Sequence, residues 1–108
     1  MATKAPDAPI LKRFRAAVNE IYGERVERVV LFGSRARGDA QPDSDYDVAV
    51  FLRGDMPDRI AEAYRLADLS TAILEDTGEL IHAMPYRAGS YNDRTPLMHE
   101  IRREGVDL

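Results

Sequence analysis

Two aspartates two residues apart, Asp45 and Asp47, follow the pair Gly33-Ser34 after an interval of ten residues. On an extended strand, side chains two apart share one face. The carboxylates therefore converge, as two hard oxygen ligands for a divalent cation would. A Gly-Ser turn that opens a short helix offers backbone N–H groups without intrahelical partners, and these suit a phosphate. Metal-binding carboxylates beside a phosphate cradle point to nucleoside triphosphate chemistry. Four fixed residues match by chance at roughly one start position in 10^5, so the flanks must add weight. They do: VERVVLF runs into Gly33 and DVAVFL runs on from Asp47, which reads as strand, Gly-Ser turn, polar loop and strand.

Rival motifs fail on detail. Residues 33–38 fit the first half of a P-loop, but Asp39 and Ala40 stand where Lys and Ser/Thr are required. Asp43, Asp45 and Asp47 imitate the opening of an EF-hand loop, which needs Gly at its sixth place and Glu at its twelfth; Val48 and Gly54 occupy them. Arg37-Gly38-Asp39 spells an adhesion tripeptide in a chain with no sign of secretion. The plain competitor is an Asp-rich solvated turn in which Gly33 serves only the turn.

Residues 33–52 resemble the minimal nucleotidyltransferases (MNT), small members of the DNA polymerase beta-like nucleotidyltransferase superfamily. The coarse order of elements resembles that family along nearly the whole chain. The resemblance implies that Gly33 and Ser34 hold the triphosphate, and that Asp45 and Asp47 are the catalytic carboxylates binding two magnesium ions. Arg35 and Arg37 fit the family's GSRARG-like stretch, and Ser44 its Ser before the first Asp. At a helix start near a triphosphate the two arginines can pair phosphates; otherwise they are solvated turn residues.

The superfamily adds a third carboxylate on the following strand, and here the chain departs from it. That strand reads Glu79-Leu80-Ile81-His82-Ala83-Met84-Pro85. His82 stands nearest the acid's position, while Glu79 is the only carboxylate, near the strand start and on the opposite pleat face. Imidazole ligates metals but replaces a carboxylate poorly for Mg²⁺. The third metal ligand is thus His82, Glu79 or neither, a departure that bears on turnover more than on nucleotide binding.

What the resemblance implies is transfer of AMP from ATP to an acceptor, with Mg²⁺ or Mn²⁺ as the metal. One small domain has no substrate-binding lobe, so the expected acceptor is another protein. Small stand-alone members of the family often pair with a helical HEPN-domain protein as antitoxin and toxin, the toxin being a ribonuclease. Some transfer AMP to a tyrosine of that partner, and such a HEPN-domain toxin is the implied partner here. The competing function is a degenerate nucleotidyltransferase-fold module that binds a partner or nucleotide without turnover. Antibiotic adenylylation fits less well, because those enzymes carry an additional domain for the drug.

The whole chain sets bounds on these readings. At 108 residues it is expected to form a single domain, 1–108, with residues 1–9 frayed. It has no Cys, hence no disulfide framework or thiolate metal site. No apolar run reaches membrane-spanning length and no signal peptide is visible, so a cytoplasmic location without membrane contact is the default. A formal net charge of -4 argues against a protein built to coat DNA.

The elements that must position the motif follow from periodicity. Ile10, Phe14, Val18 and Ile21 mark one helix face, ended by Gly23. Residues 26–32 and 46–52 read as strands, with the first buried on both faces from Val29 onward. Residues 58–75 read as a helix packing through Ile60, Ala63, Tyr64, Ala67 and Leu74, widened by Leu66, Leu69 and Ile73. A third strand spans 79–84 and is stopped by Pro85; 87–93 is a loop bordered by Tyr86 and holding Tyr91, whose roles are open. Thr95 caps a last helix with Leu97 and Ile101 inward and His99 on the surface, and 106–108 adds a short extended edge. The order α-β-α-β-α-β-α predicts an α/β (α+β) nucleotidyltransferase fold, a small mixed β-sheet with helices packed on one side.

Overall fold

In the structure, a computed structural model that describes residues 8–108, these signals resolve into four helices and four strands among the described residues. They are α1 (Pro9–Tyr22), β1 (Val26–Phe32), α2 (Ser34–Arg37), β2 (Tyr46–Leu52), α3 (Arg59–Thr77), β3 (Ile81–Arg87), α4 (Pro96–Glu104) and β4 (Val106–Asp107). The fraying expected for residues 1–9 falls outside the described residues at 1–7. Pro9 opens α1, where its missing N–H costs nothing.

The sheet is mixed, in the order β3-β2-β1-β4. β1 runs antiparallel to β2 and β4, and β2 runs parallel to β3 with α3 as the crossover between them. β1 and β2 are apolar on both faces, so both faces need cover. Val29, Leu31, Val48, Val50 and Leu52 pack beneath α1 and α3 with Phe14, Val18, Leu66 and Ile73. Val30, Ala49 and Phe51 face the other way and are covered by Met98 and Ile101 of α4. The α/β class and mixed sheet hold, but the helices are not all on one side: consecutive buried residues along β1 leave a second apolar face, and α4 takes it.

Helix faces also differ from the periodicity reading. In α3 the buried positions are Leu66, Ser70 and Ile73, while Ile60 and Tyr64 are 70% and 69% exposed. This helix carries two apolar stripes, and only the one spaced i, i+4, i+7 meets the sheet. In α4 Met98 rather than Leu97 turns inward with Ile101. In α1 Tyr22 replaces Ile21, and its hydroxyl donates to Glu62 on α3 at 2.7 Å. Burial, reinforced by that bond, raises the Tyr22 pKa above the ordinary phenol value.

Pro85 does not stop β3; the strand continues to Arg87. Tyr46 N–H donates to Leu80 O, so even-numbered residues of β3 bond to β2 and odd-numbered ones face outward. Pro85 therefore lacks an N–H where no ladder bond is made, the position a sheet tolerates. Its carbonyl accepts from Arg59 Nε at 2.9 Å.

Ser70 is buried under α3 and its Oγ has no hydrogen-bond partner among the described residues. An unsatisfied hydroxyl stabilises nothing. Ser70→Ala is expected to leave stability unchanged or raise it by up to about 1 kcal/mol, read from the urea midpoint. A clear loss of stability would show that the hydroxyl has a partner.

Candidate active site

The register of the sheet assembles the site. Phe32, the last residue of β1, lies opposite Asp47, and Asp47 lies beside His82 across the parallel β2–β3 pair. Gly33 then turns the chain with φ 78° and ψ -160°, a conformation that favours glycine. A Cβ placed on Gly33 would come within 2.5 Å of Asp47 Oδ2. The Gly-Ser turn and Asp47, fourteen positions on from Gly33, thus meet in space.

Asp47 is on the face of β2 turned away from α1 and α3, with its side chain 36% exposed. Asp45 precedes β2, is exposed, and is separated from Asp47 by the buried Tyr46. His82 shares the face of Asp47: its Nδ1 stands 3.6 Å from Asp47 Oδ1, just beyond hydrogen-bond reach, with the imidazole open to solvent. Glu79 goes elsewhere. Its Oε1 accepts from the Tyr46 hydroxyl at 3.3 Å, and Tyr46 packs on the opposite side of the sheet among the α1 and α3 contacts. Burial raises the Tyr46 pKa, with the Arg35 charge opposing the shift and Glu79 adding to it. Of the two candidates for a third ligand, the structure brings His82 and not Glu79 to Asp47.

The arginines of the motif have protein partners. Arg35 donates from Nε and Nη2 to Ser44 O at 3.2 and 3.0 Å, and from Nη2 to Pro42 O at 3.1 Å. Its guanidinium also lies 4.4 Å from the Tyr46 ring centroid. It fastens the loop that delivers Asp45. Arg37 donates to Asp39 and Glu104, and these bonds hold its pKa above the usual guanidinium value. The N–H of Gly33 donates to Glu104 Oε1. The amides of Ser34 and Arg35, in the first turn of α2, are left without intrahelical partners.

Glu104 was not marked by any sequence signal. It sits in a run of charged residues at the end of α4, where a solvated face is the default reading, and its contacts to Gly33 span 71 residues of chain. Tyr86 and Tyr91 resolve as packing residues around Phe51, with ring centroids 5.6 and 5.5 Å away. His99 is on the surface.

As a cation site, Asp45 and Asp47 suit a metal that completes its shell with phosphate and water oxygens. Among the described residues no group of three or more His, Asp or Glu side chains is gathered to hold a metal alone. None of the described helices is long and apolar enough to cross a membrane.

Comparison with known proteins gives concordant findings. The family described as "Nucleotidyltransferase domain" matches residues 11–93. A Methanocaldococcus jannaschii protein named "Putative protein adenylyltransferase MJ0141" is 28% identical over 99 residues, covering 92% of this chain and 95% of its own. Among solved structures, a toxin-antitoxin with AMP-PNP superposes with a TM-score of 0.61 at 19% identity, over 87% of this chain and 68% of that one. A tri-AMPylated Shewanella oneidensis HEPN toxin in complex with MNT antitoxin gives 0.54 at 16% identity, over 91% and 70%. At these identities the structural likenesses establish the fold.

Proposed function

This chain belongs to the nucleotidyltransferase domain family, and from that premise we propose that it transfers AMP from ATP to a hydroxyl of a partner protein. The observation that carries this reading is the contact between Gly33 and Asp47, which joins the phosphate turn to the carboxylate pair. In the proposed reaction the acceptor hydroxyl gives its proton to solvent and its oxygen bonds to the α-phosphorus, while the bond to the α–β bridging oxygen breaks and pyrophosphate departs. Magnesium, when bound, supplies charge neutralisation at the phosphates. Asp45 and Asp47 would hold that cation, and the Ser34 and Arg35 amides would receive phosphate oxygens. Arg35 holds the Asp45 loop so that the two carboxylates keep their spacing.

The partner we propose is a helical HEPN-type toxin, as in the Shewanella oneidensis complex of HEPN toxin with MNT antitoxin. An open groove lined by Ile60, Ala63, Tyr64, Ala67, Ala83 and Met84 borders His82 and supports an acceptor that is a protein rather than a small molecule. A second reading, binding without turnover, is favoured by one observation: an imidazole stands where the superfamily has its third acid.

The test is incubation of the chain, a HEPN-domain partner and ATP labelled at the α-phosphate. Label should appear on the partner. With His82 beside Asp47, Mn²⁺ should support transfer several-fold better than Mg²⁺, because a transition-metal ion accepts an imidazole nitrogen more readily than Mg²⁺ does. His82→Asp should shift that preference toward Mg²⁺. ATP binding with no label transferred in either metal would favour the non-catalytic module.

A further inference from the structure

Glu104 closes α4 with a side chain only 8% exposed. A carboxylate this buried needs partners, and it has two. Oε1 accepts from Gly33 N at 3.0 Å, while Oε1 and Oε2 accept from Arg37 Nη1 at 3.3 and 3.1 Å. Gly33 is the N-cap of α2 and Arg37 its last residue. One carboxylate therefore grips both ends of a four-residue helix. A helix of one turn does not hold itself, and Ala36 is the only residue it buries.

The grip matters because of what Gly33 faces. Its Cα lies against the Asp47 carboxylate, and its N–H points to α4 instead. Glu104 backs the turn from behind while Asp47 meets it from the front. Neither contact follows from the motif, and Glu104 lies outside residues 11–93, the part of the chain that matches the family.

We propose that Glu104 is a positioning residue for the triphosphate turn: it fixes Gly33 and α2 against Asp47, and so sets the affinity for metal-bound ATP without touching the nucleotide. This rests on the nucleotide-binding reading above. Loss of a charged hydrogen-bonding group at such a site corresponds to about tenfold or more in affinity.

The experiment measures the Kd for ATP with Mg²⁺ by calorimetry, together with the Tm of each protein without ligand. Glu104→Ala is expected to raise the Kd at least about tenfold. Glu104→Gln, which keeps an acceptor for Gly33 N–H, should restore most of the affinity. Glu104→Asp, one methylene shorter, cannot hold Gly33 and Arg37 together and should behave like the Ala variant. That variant decides the matter where Glu104→Ala does not fold. A lowered Tm with wild-type Kd in the Ala and Asp variants would mean that Glu104 is only structural, and the inference fails while ATP binding stands. No ATP binding by the wild-type chain would overturn the parent reading and this one together.

Discussion

The Asp45→Asn/Asp47→Asn double variant should lose metal-dependent ATP binding and AMP transfer while keeping its fold. Each carboxylate that loses its charge removes about 1.5–3 kcal/mol of charge-assisted interaction, so the pair should lower affinity by more than about 100-fold. Stability should move little, because Asp45 is exposed and Asp47 makes no hydrogen bond at 3.6 Å from His82. Exposed positions of this kind usually shift stability within about 0.5 kcal/mol. Calorimetric titration with ATP, with and without Mg²⁺, checks the first part and thermal unfolding the second. Wild-type affinity in the double variant would sink the site assignment, whatever the family.

Gly33→Ala should be the most damaging single change in the phosphate turn. Two penalties combine there. The backbone sits at φ 78°, where L side chains are strained, and the new methyl would lie 2.5 Å from Asp47 Oδ2. Strain of this sort costs about 1–3 kcal/mol. Relief requires the turn or Asp47 to move, and a displacement of about 1 Å at reacting groups can cost about 100-fold in rate. Gly38→Ala provides the comparison: φ is 87°, but no atom lies within 4 Å of its Cβ position. It should lose stability through backbone strain alone and retain most transfer. Measuring urea midpoints and AMP transfer for both variants separates strain from collision. Equal transfer by the two variants would mean that the closeness of Gly33 to Asp47 is unimportant.

The parts of this arrangement that rest on local chemistry could be read from the residues. Strands β1 and β2 came with their boundaries, because a β-branched run bounded by a Gly-Ser turn and by Asp45-Tyr46-Asp47 admits little else. The cap at Thr95 also follows a local rule, its hydroxyl accepting from the Met98 N–H three residues on. What could not be read depends on tertiary choice. Periodicity alone cannot say which of two apolar stripes on α3 meets the sheet, or that α4 crosses to the other face. Pro85 reads as a strand end unless one knows that β3 lies at the margin with odd residues outward. The pleat does put His82 on the face of Asp47 and Glu79 away from it, but that needs the parallel register of β2 and β3. Glu104 was beyond reach, since its value comes from a contact between distant segments.

The margins of the sheet have a consequence for how this chain behaves at high concentration. A sheet edge is a template for another strand, and long unprotected edges lead to aggregation. One margin here is β4, only two residues long. The other is β3, where Pro85 offers no donor and its carbonyl is already taken by Arg59. A strand arriving along β3 would lose register at its centre. The β3 margin is therefore a poor template for a further strand, and His82 can stay open to solvent there without inviting one.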